Sequence, residues 1–120
     1  MTVDEFRKMA LEIPKAVELS HMNHPDFRFN GKIFASLGVP DKDWGMVKLT
    51  PDQQQAFIEK SFEIFKPCSG AWGRQGATNV FLPDAKASIV RTALETAAGN
   101  VAITGQKKTT NVRRRTFDTR

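Results

Sequence analysis

Phe27-Arg28-Phe29-Asn30-Gly31-Lys32-Ile33-Phe34-Ala35 is the stretch on which the fold turns. Phe27 and Phe29 alternate with Arg28, the period-two pattern of a strand with one buried face. Asn30-Gly31 then supplies two residues that readily take positive φ, which a type I′ hairpin turn needs at both central positions. Lys32 to Leu37 is the return strand. An antiparallel hairpin is expected here, and the flanking sequence is read around it.

Downstream, Gly38 to Asp43 reads as a polar turn. Trp44 to Leu49 comes next as another strand, with Trp44, Met46 and Lys48 on one side and Val47 and Leu49 on the other. Upstream, the short period reaches back to Ala16, so the centre reads as an antiparallel meander of three or four strands. Before it, Thr2-Val3-Asp4-Glu5 has the Thr-x-x-Glu spacing of a capping box, in which each side chain satisfies a backbone donor left open at a helix start. Phe6, Met9, Ala10 and Ile13 then recur at helical spacing until Pro14, which cannot continue the hydrogen-bond ladder.

After the meander, Thr50-Pro51-Asp52-Gln53 opens a second helix, with Thr as cap, Pro at the first helical position and Gln closing the box. Phe57, Ile58, Phe62 and Phe65 form its expected apolar stripe, and Lys66-Pro67 its end. A glycine-rich turn and a short strand, Thr78 to Leu82, come next. Pro83-Asp84 is read as the start of a third helix whose inner face is Ile89, Val90, Ala93, Leu94 and Ala97, with Gly99 as its C-terminal cap. The order helix, three or four strands, helix, strand, helix predicts an α+β fold, a two-layer sandwich of an antiparallel sheet and three helices.

A chain of 120 residues is long enough for one core without disulfide staples. No apolar run approaches the ~20 residues needed to cross a bilayer, so no membrane partner is expected. The acidic, polar start lacks the features of a signal peptide. Cys68 is the single cysteine and can form no internal disulfide. These features together predict an intracellular, cytoplasmic protein.

The net charge of +5 is unevenly placed. Residues 1 to 104 carry 12 Lys/Arg against 12 Asp/Glu, whereas residues 105 to 120 carry Lys107, Lys108, Arg113, Arg114, Arg115 and Arg120 against Asp118 alone. The expected organisation is a neutral domain over 1–104 and a basic tail over 105–120, too poor in apolar residues to fold alone. Such a tail can neutralise several phosphates of a nucleic acid, or it can serve only as a solvated extension.

Few residues suggest chemistry. His21, His24 and Asp26 fall within six residues, but no second Cys or His cluster completes a zinc set, and they read as turn residues between strands. Cys68 has no His close in sequence and no nucleophile motif surrounds any Ser, so no catalytic residue, metal or cofactor is expected. Gly70-Ala71-Trp72-Gly73-Arg74-Gln75-Gly76 is the densest glycine segment. It reads either as a turn with Trp72 packed on the core, or as a loop offering an aromatic face at Trp72 and a guanidinium at Arg74. Nucleic-acid surfaces use both, for stacking and for phosphate pairing.

The chain resembles the MmcQ/YjbR family over about residues 3 to 100. The resemblance lies in the first helix ending at Ile13-Pro14, the hairpin Phe27 to Ala35, the strand Trp44 to Leu49, and Trp72-Gly73-Arg74-Gln75-Gly76-Ala77-Thr78 before a strand and final helix. It implies a frataxin-like two-layer α+β fold in a double-wing arrangement, DNA as the partner proposed for the family, and no catalytic residue. Where many members carry Met-Asn-Lys and His-Trp, this chain resembles a glycine-rich branch and keeps only Arg74 as the basic residue. The expectation is a non-enzymatic DNA-binding or regulatory protein, in contact through Trp72, Arg74, Lys107, Lys108, Arg113, Arg114 and Arg115. The alternative is a small protein-interaction or ligand-binding module.

Overall fold

The computed structural model describes the backbone of residues 1–110 and the side chains of residues 1–102. The chain runs α1 (Val3–Glu12), β1 (Val17–His21), β2 (His24–Phe29), β3 (Lys32–Leu37), β4 (Trp44–Lys48), α2 (Pro51–Lys60), β5 (Phe65–Pro67), α3 (Gly70–Arg74), β6 (Ala77–Phe81) and α4 (Ala87–Thr110). The strands form one antiparallel sheet in the order β1-β2-β3-β4-β6-β5. Helices α1 and α4 lie against one face, which makes the α+β sandwich expected from the sequence.

The expected hairpin is present, with Asn30 at φ 53° and Gly31 at φ 78°. A second hairpin precedes it: Met22 and Asn23, at φ 50° and 67°, turn β1 into β2, and His21 pairs with His24. These histidines therefore sit on strand ends rather than in the turn. Strict alternation fails once, at a bulge where the pairing steps from Phe27↔Ala35 to Arg28↔Ile33. The extra residue on β3 is Phe34, and both Phe34 and Ala35 are fully buried in the core.

Both expected capping boxes form, at Thr2/Glu5 and Thr50/Gln53. Three helix boundaries differ from expectation. Helix α2 stops at Lys60, because Ser61 and the turn after it lead into β5, where Phe65 pairs with Val80. Phe65 is buried with its ring tilted against that of Phe57, centroids 5.2 Å apart, whereas Phe62 is left 72% exposed. Pro83 lies in a 3₁₀ turn, Leu82–Asp84, that draws Leu82 into the core, and α4 begins only at Ala87. Gly99 does not cap α4. The helix passes through it because Val101 beyond is buried and Asn100 hydrogen-bonds both Gln53 and the Lys48 carbonyl.

The core joins Phe6, Met9 and Ala10 of α1, Val90, Ala93, Leu94, Ala97, Ala98 and Val101 of α4, and the inward residues of the sheet. Burying each large side chain contributes roughly 1.5–3 kcal/mol. The boundary expected at residue 104 falls inside α4, whose backbone continues through Lys107 and Lys108 to Thr110. Arg113, Arg114 and Arg115 lie outside the described residues.

Candidate functional site

The register sorts the sheet into two faces. Gly45 lies under the Phe6 ring, so Gly45, Val47, Val80 and Phe65 face the helices. The alternate residues make a cross-strand row on the opposite face: Leu19, Asp26, Ser36, Met46, Asn79 and Lys66. Across the middle of this row lies a cleft of about 320 Å³. Ser36 and Met46 form its floor. One wall is His21, His24 and the Val39-Pro40 segment; the other is Pro67-Cys68-Ser69, Asn79 and Trp72. No Asp, Glu, Lys or Arg among the described residues lines it.

Behind the first wall, a charge cluster fixes the His21 ring. Asp26 has no solvent exposure and accepts from Arg28 Nε at 2.7 Å and Arg28 Nη2 at 3.1 Å. His21 Nδ1 lies 2.7 Å from Asp26 Oδ2. The Arg28 hydrogen bond, together with the weaker effect of the His21 contact, holds the Asp26 carboxyl below its ordinary range against the opposing cost of burial. An ionised carboxylate only accepts, so the proton of that contact sits on His21 Nδ1. His24 is packed over Gly38, where an added Cβ would stand 2.7 Å from its Nδ1.

On the second wall the Cys68 thiol donates to Asn79 Oδ1 at 3.1 Å. Burial pushes this thiol up to about 11, so it stays protonated at neutral pH. His21, His24 and Cys68 thus share one cleft, with Asp26 behind it, yet the thiol lacks the thiolate character a nucleophile needs. No group of three or more His, Cys, Asp or Glu is placed to hold a metal ion among the described residues.

The glycine-rich segment is a short helix rather than a turn. Its glycines allow close approach: a Cβ at Gly73 would stand 1.7 Å from the Cys68 carbonyl oxygen, and Gly76, at φ 114°, lies against the Leu49 carbonyl. Gln54 of α2 ties the segment down by donating to the carbonyls of Gly73 and Ala77. Trp72 is 46% exposed at the cleft rim, so it is not the core residue that a simple turn would bury. Arg74 is also exposed and has no ion pair among the described residues, but two helical positions stand about 200° apart around the axis, so it points away from Trp72. The two are neighbours in sequence without forming one surface.

Ser36, Val39, Pro40, Met46 and Asn79 have no signal of their own in the sequence. Only the strand order, with β6 inserted beside β4, brings them together. Another cleft, about 410 Å³, lies between α1 and α4 and is flanked by the Arg91–Glu12 ion pair at 2.7 Å. Arg91 and Glu12 are paired with each other there, and Glu95 is the remaining charged residue of its lining.

Neither a family model nor a curated protein matches the sequence. The fold is similar to the crystal structure of the Deinococcus radiodurans protein DR2400, a DUF419 domain, with a TM-score of 0.70 at 16% identity over 92% of this chain and 83% of that one. No helix among the described residues is long and apolar enough to cross a membrane.

Proposed function

We propose that this chain is a non-enzymatic, cytoplasmic binding module of the MmcQ/YjbR kind, and that the cleft on the open face of its sheet receives the partner. The observation that carries the reading is the cleft itself: a concave site with an aromatic rim, a thioether floor and a few hydrogen-bonding groups, the usual make-up of a ligand site. The protonated, hydrogen-bonded Cys68 supports binding over nucleophilic chemistry. Family membership is supported by the Phe27 to Ala35 hairpin and by the likeness to a DUF419 domain, a group related to MmcQ/YjbR. The test is a fragment screen by ¹⁵N NMR on the full chain. Shifts should gather at His21, Ser36, Met46, Cys68, Trp72 and Asn79; hits scattered over the surface, or none, would overturn the reading.

A second reading is DNA binding. It is favoured by the separate exposure of Trp72 and Arg74, by the backbone of α4 running through Lys107 and Lys108, and by the basic residues Arg113, Arg114 and Arg115 that follow in the sequence. If about five charges are engaged, log affinity for duplex should fall against log salt with a slope of about −4 to −5. That slope should collapse when Lys107, Lys108, Arg113, Arg114 and Arg115 are replaced by glutamine. Undetectable duplex binding by both forms would remove the reading.

A further inference from the structure

The two edges of the sheet are finished differently. β5 is three residues long and carries Lys66 and Pro67, a short edge with a charge and a residue that cannot donate, both of which discourage a further strand. β1 has none of these devices. Its five residues, Val17-Glu18-Leu19-Ser20-His21, include no proline or lysine, all are exposed, and among the described residues the strand pairs only with β2. Val17 and Leu19 are each 50% exposed on the cleft side of the sheet, and Met22 just beyond them is 85% exposed. The one carboxylate of the strand, Glu18, is on the helix side, where it accepts from Arg7 Nε at 3.0 Å. A broad, open groove of about 820 Å³ is bordered by Glu18, Leu19, Ser20 and Arg28.

The β1–β2 hairpin fixes which backbone groups are left over. Met22 and Asn23 make a type I′ turn, in which the carbonyl of the first residue accepts from the N–H of the fourth, so His21 and His24 are a hydrogen-bonded pair. Bonded and non-bonded pairs alternate along an antiparallel ladder. Val17, Leu19 and His21 therefore turn their N–H and C=O groups toward β2, and Glu18 and Ser20 turn theirs outward. An antiparallel second copy of β1, related by a two-fold axis at Leu19, sets Glu18 against Ser20 of that copy and Ser20 against its Glu18, each pair exchanging both N–H···O bonds. Leu19 then meets Leu19 of the second copy as a non-bonded pair, the arrangement that brings side chains closest. Other registers are worse. An axis at Glu18 opposes like charges, and an axis at Val17 needs the Ala16 N–H, which already donates to the Ile13 carbonyl at 3.0 Å. An axis at Ser20 puts Glu18 against Met22, whose φ of 50° takes it out of the strand.

We infer that β1 is the docking edge for a second copy of this chain, in a two-fold antiparallel pair centred on Leu19. The two sheets then become one continuous sheet, with α1 and α4 of both copies on one side and both clefts on the other. Electrostatics permit the pairing, because residues 1–104 carry 12 Lys/Arg against 12 Asp/Glu and two such domains have no net repulsion. Contact along one five-residue edge is small beside the ~800 Å² per partner of a standard interface, so the dimer is a weak one, with a Kd on the order of 10–100 µM. The pairing does not require an occupied cleft.

The test is sedimentation equilibrium on the full chain from about 5 µM to about 1 mM, with amide hydrogen exchange measured at both ends of that range. The apparent mass should rise toward twice that of the monomer. The amides of Glu18 and Ser20 should exchange about tenfold or more slowly as the dimer forms, while those of Leu19 and His21, already bonded to β2, should change little. Leu19→Lys, which sets two ammonium groups against each other, and Ser20→Pro, which removes an outward N–H, should each raise the Kd at least about tenfold. Both positions are exposed, so the monomer spectrum should persist in each variant; should either fail to fold, the exchange pattern of the native chain decides alone. A chain that stays monomeric to about 1 mM, a dimer that both folded variants leave intact, or a dimer in which Glu18 and Ser20 exchange as fast as in the monomer would each overturn the inference.

Discussion

Asp26 and Arg28 sit two residues apart on β2, on the same face, and meet at 2.7 Å between a carboxylate with no solvent exposure and a guanidinium that remains partly open to water. Period two is what makes the pair possible, because residues i and i+2 of a strand share a face. Asp26→Asn removes the charge and weakens the hydrogen bonds from Arg28, and should cost about 1.5–3 kcal/mol in urea unfolding at neutral pH.

The same carboxylate sets an acid dependence. Its folded value is lowered, so its contribution is complete above the ordinary carboxylate value of about 3.9 and is lost as pH falls through the lowered folded value. Urea midpoints measured from about pH 5 down to about pH 2 should fall more steeply for the native chain than for Asp26→Asn. Parallel curves would mean that Asp26 is not the group being protonated.

Gly99 occupies a helix interior with nothing within 4 Å of the position a Cβ would take. Gly99→Ala should therefore raise stability by about 0.5–1 kcal/mol by reducing the conformational freedom lost on folding. A destabilised variant would argue that the helix ends there after all.

Phe62 and Phe65 offer a paired comparison across the end of α2. Phe62→Ser should change unfolding free energy by no more than about 0.5 kcal/mol, and Phe65→Ala should cost about 3–5 kcal/mol. Equal effects would contradict the placement of Phe65 in β5 and of Phe62 in solvent.

Cys68 should react slowly. With its thiol pushed up to about 11, alkylation by iodoacetamide at about pH 8 should run at least about tenfold below that of a free cysteine and accelerate as pH passes about 10. Asn79→Leu removes the acceptor of the thiol proton without charging the site, so it should leave this slowness largely in place, burial being its cause.

The order of elements was legible because its signals are local: two capping boxes, the Asn30-Gly31 turn, and alternation through Trp44 to Leu49. Boundaries failed where tertiary packing overrode a local cue. Gly99 looks like a stop until Val101 is seen to be buried beyond it, and Phe65 fits a helical stripe until β6 arrives to pair with it. The cleft was illegible for a different reason. His21, Ser36, Met46, Cys68 and Asn79 come from five strands or connections, and only the register turns them into one surface. Trp72 was found because an aromatic in a glycine-rich segment is conspicuous; its orientation relative to Arg74 depended on that segment being helical.

The insertion of β6 between β4 and β5 bears on how the protein is made. A ribosome delivers β1 to β4 first, and β4 then waits through α2, β5 and α3 for its outer neighbour. The roof over Phe34, Ala35 and Val47 comes still later, because α4 begins at Ala87. Throughout that interval the emerging chain shows a wet apolar sheet face with α1 as its only cover. A nascent segment of this kind is one that cellular holdases should recognise, and it should cease to be recognised once α4 has packed over it.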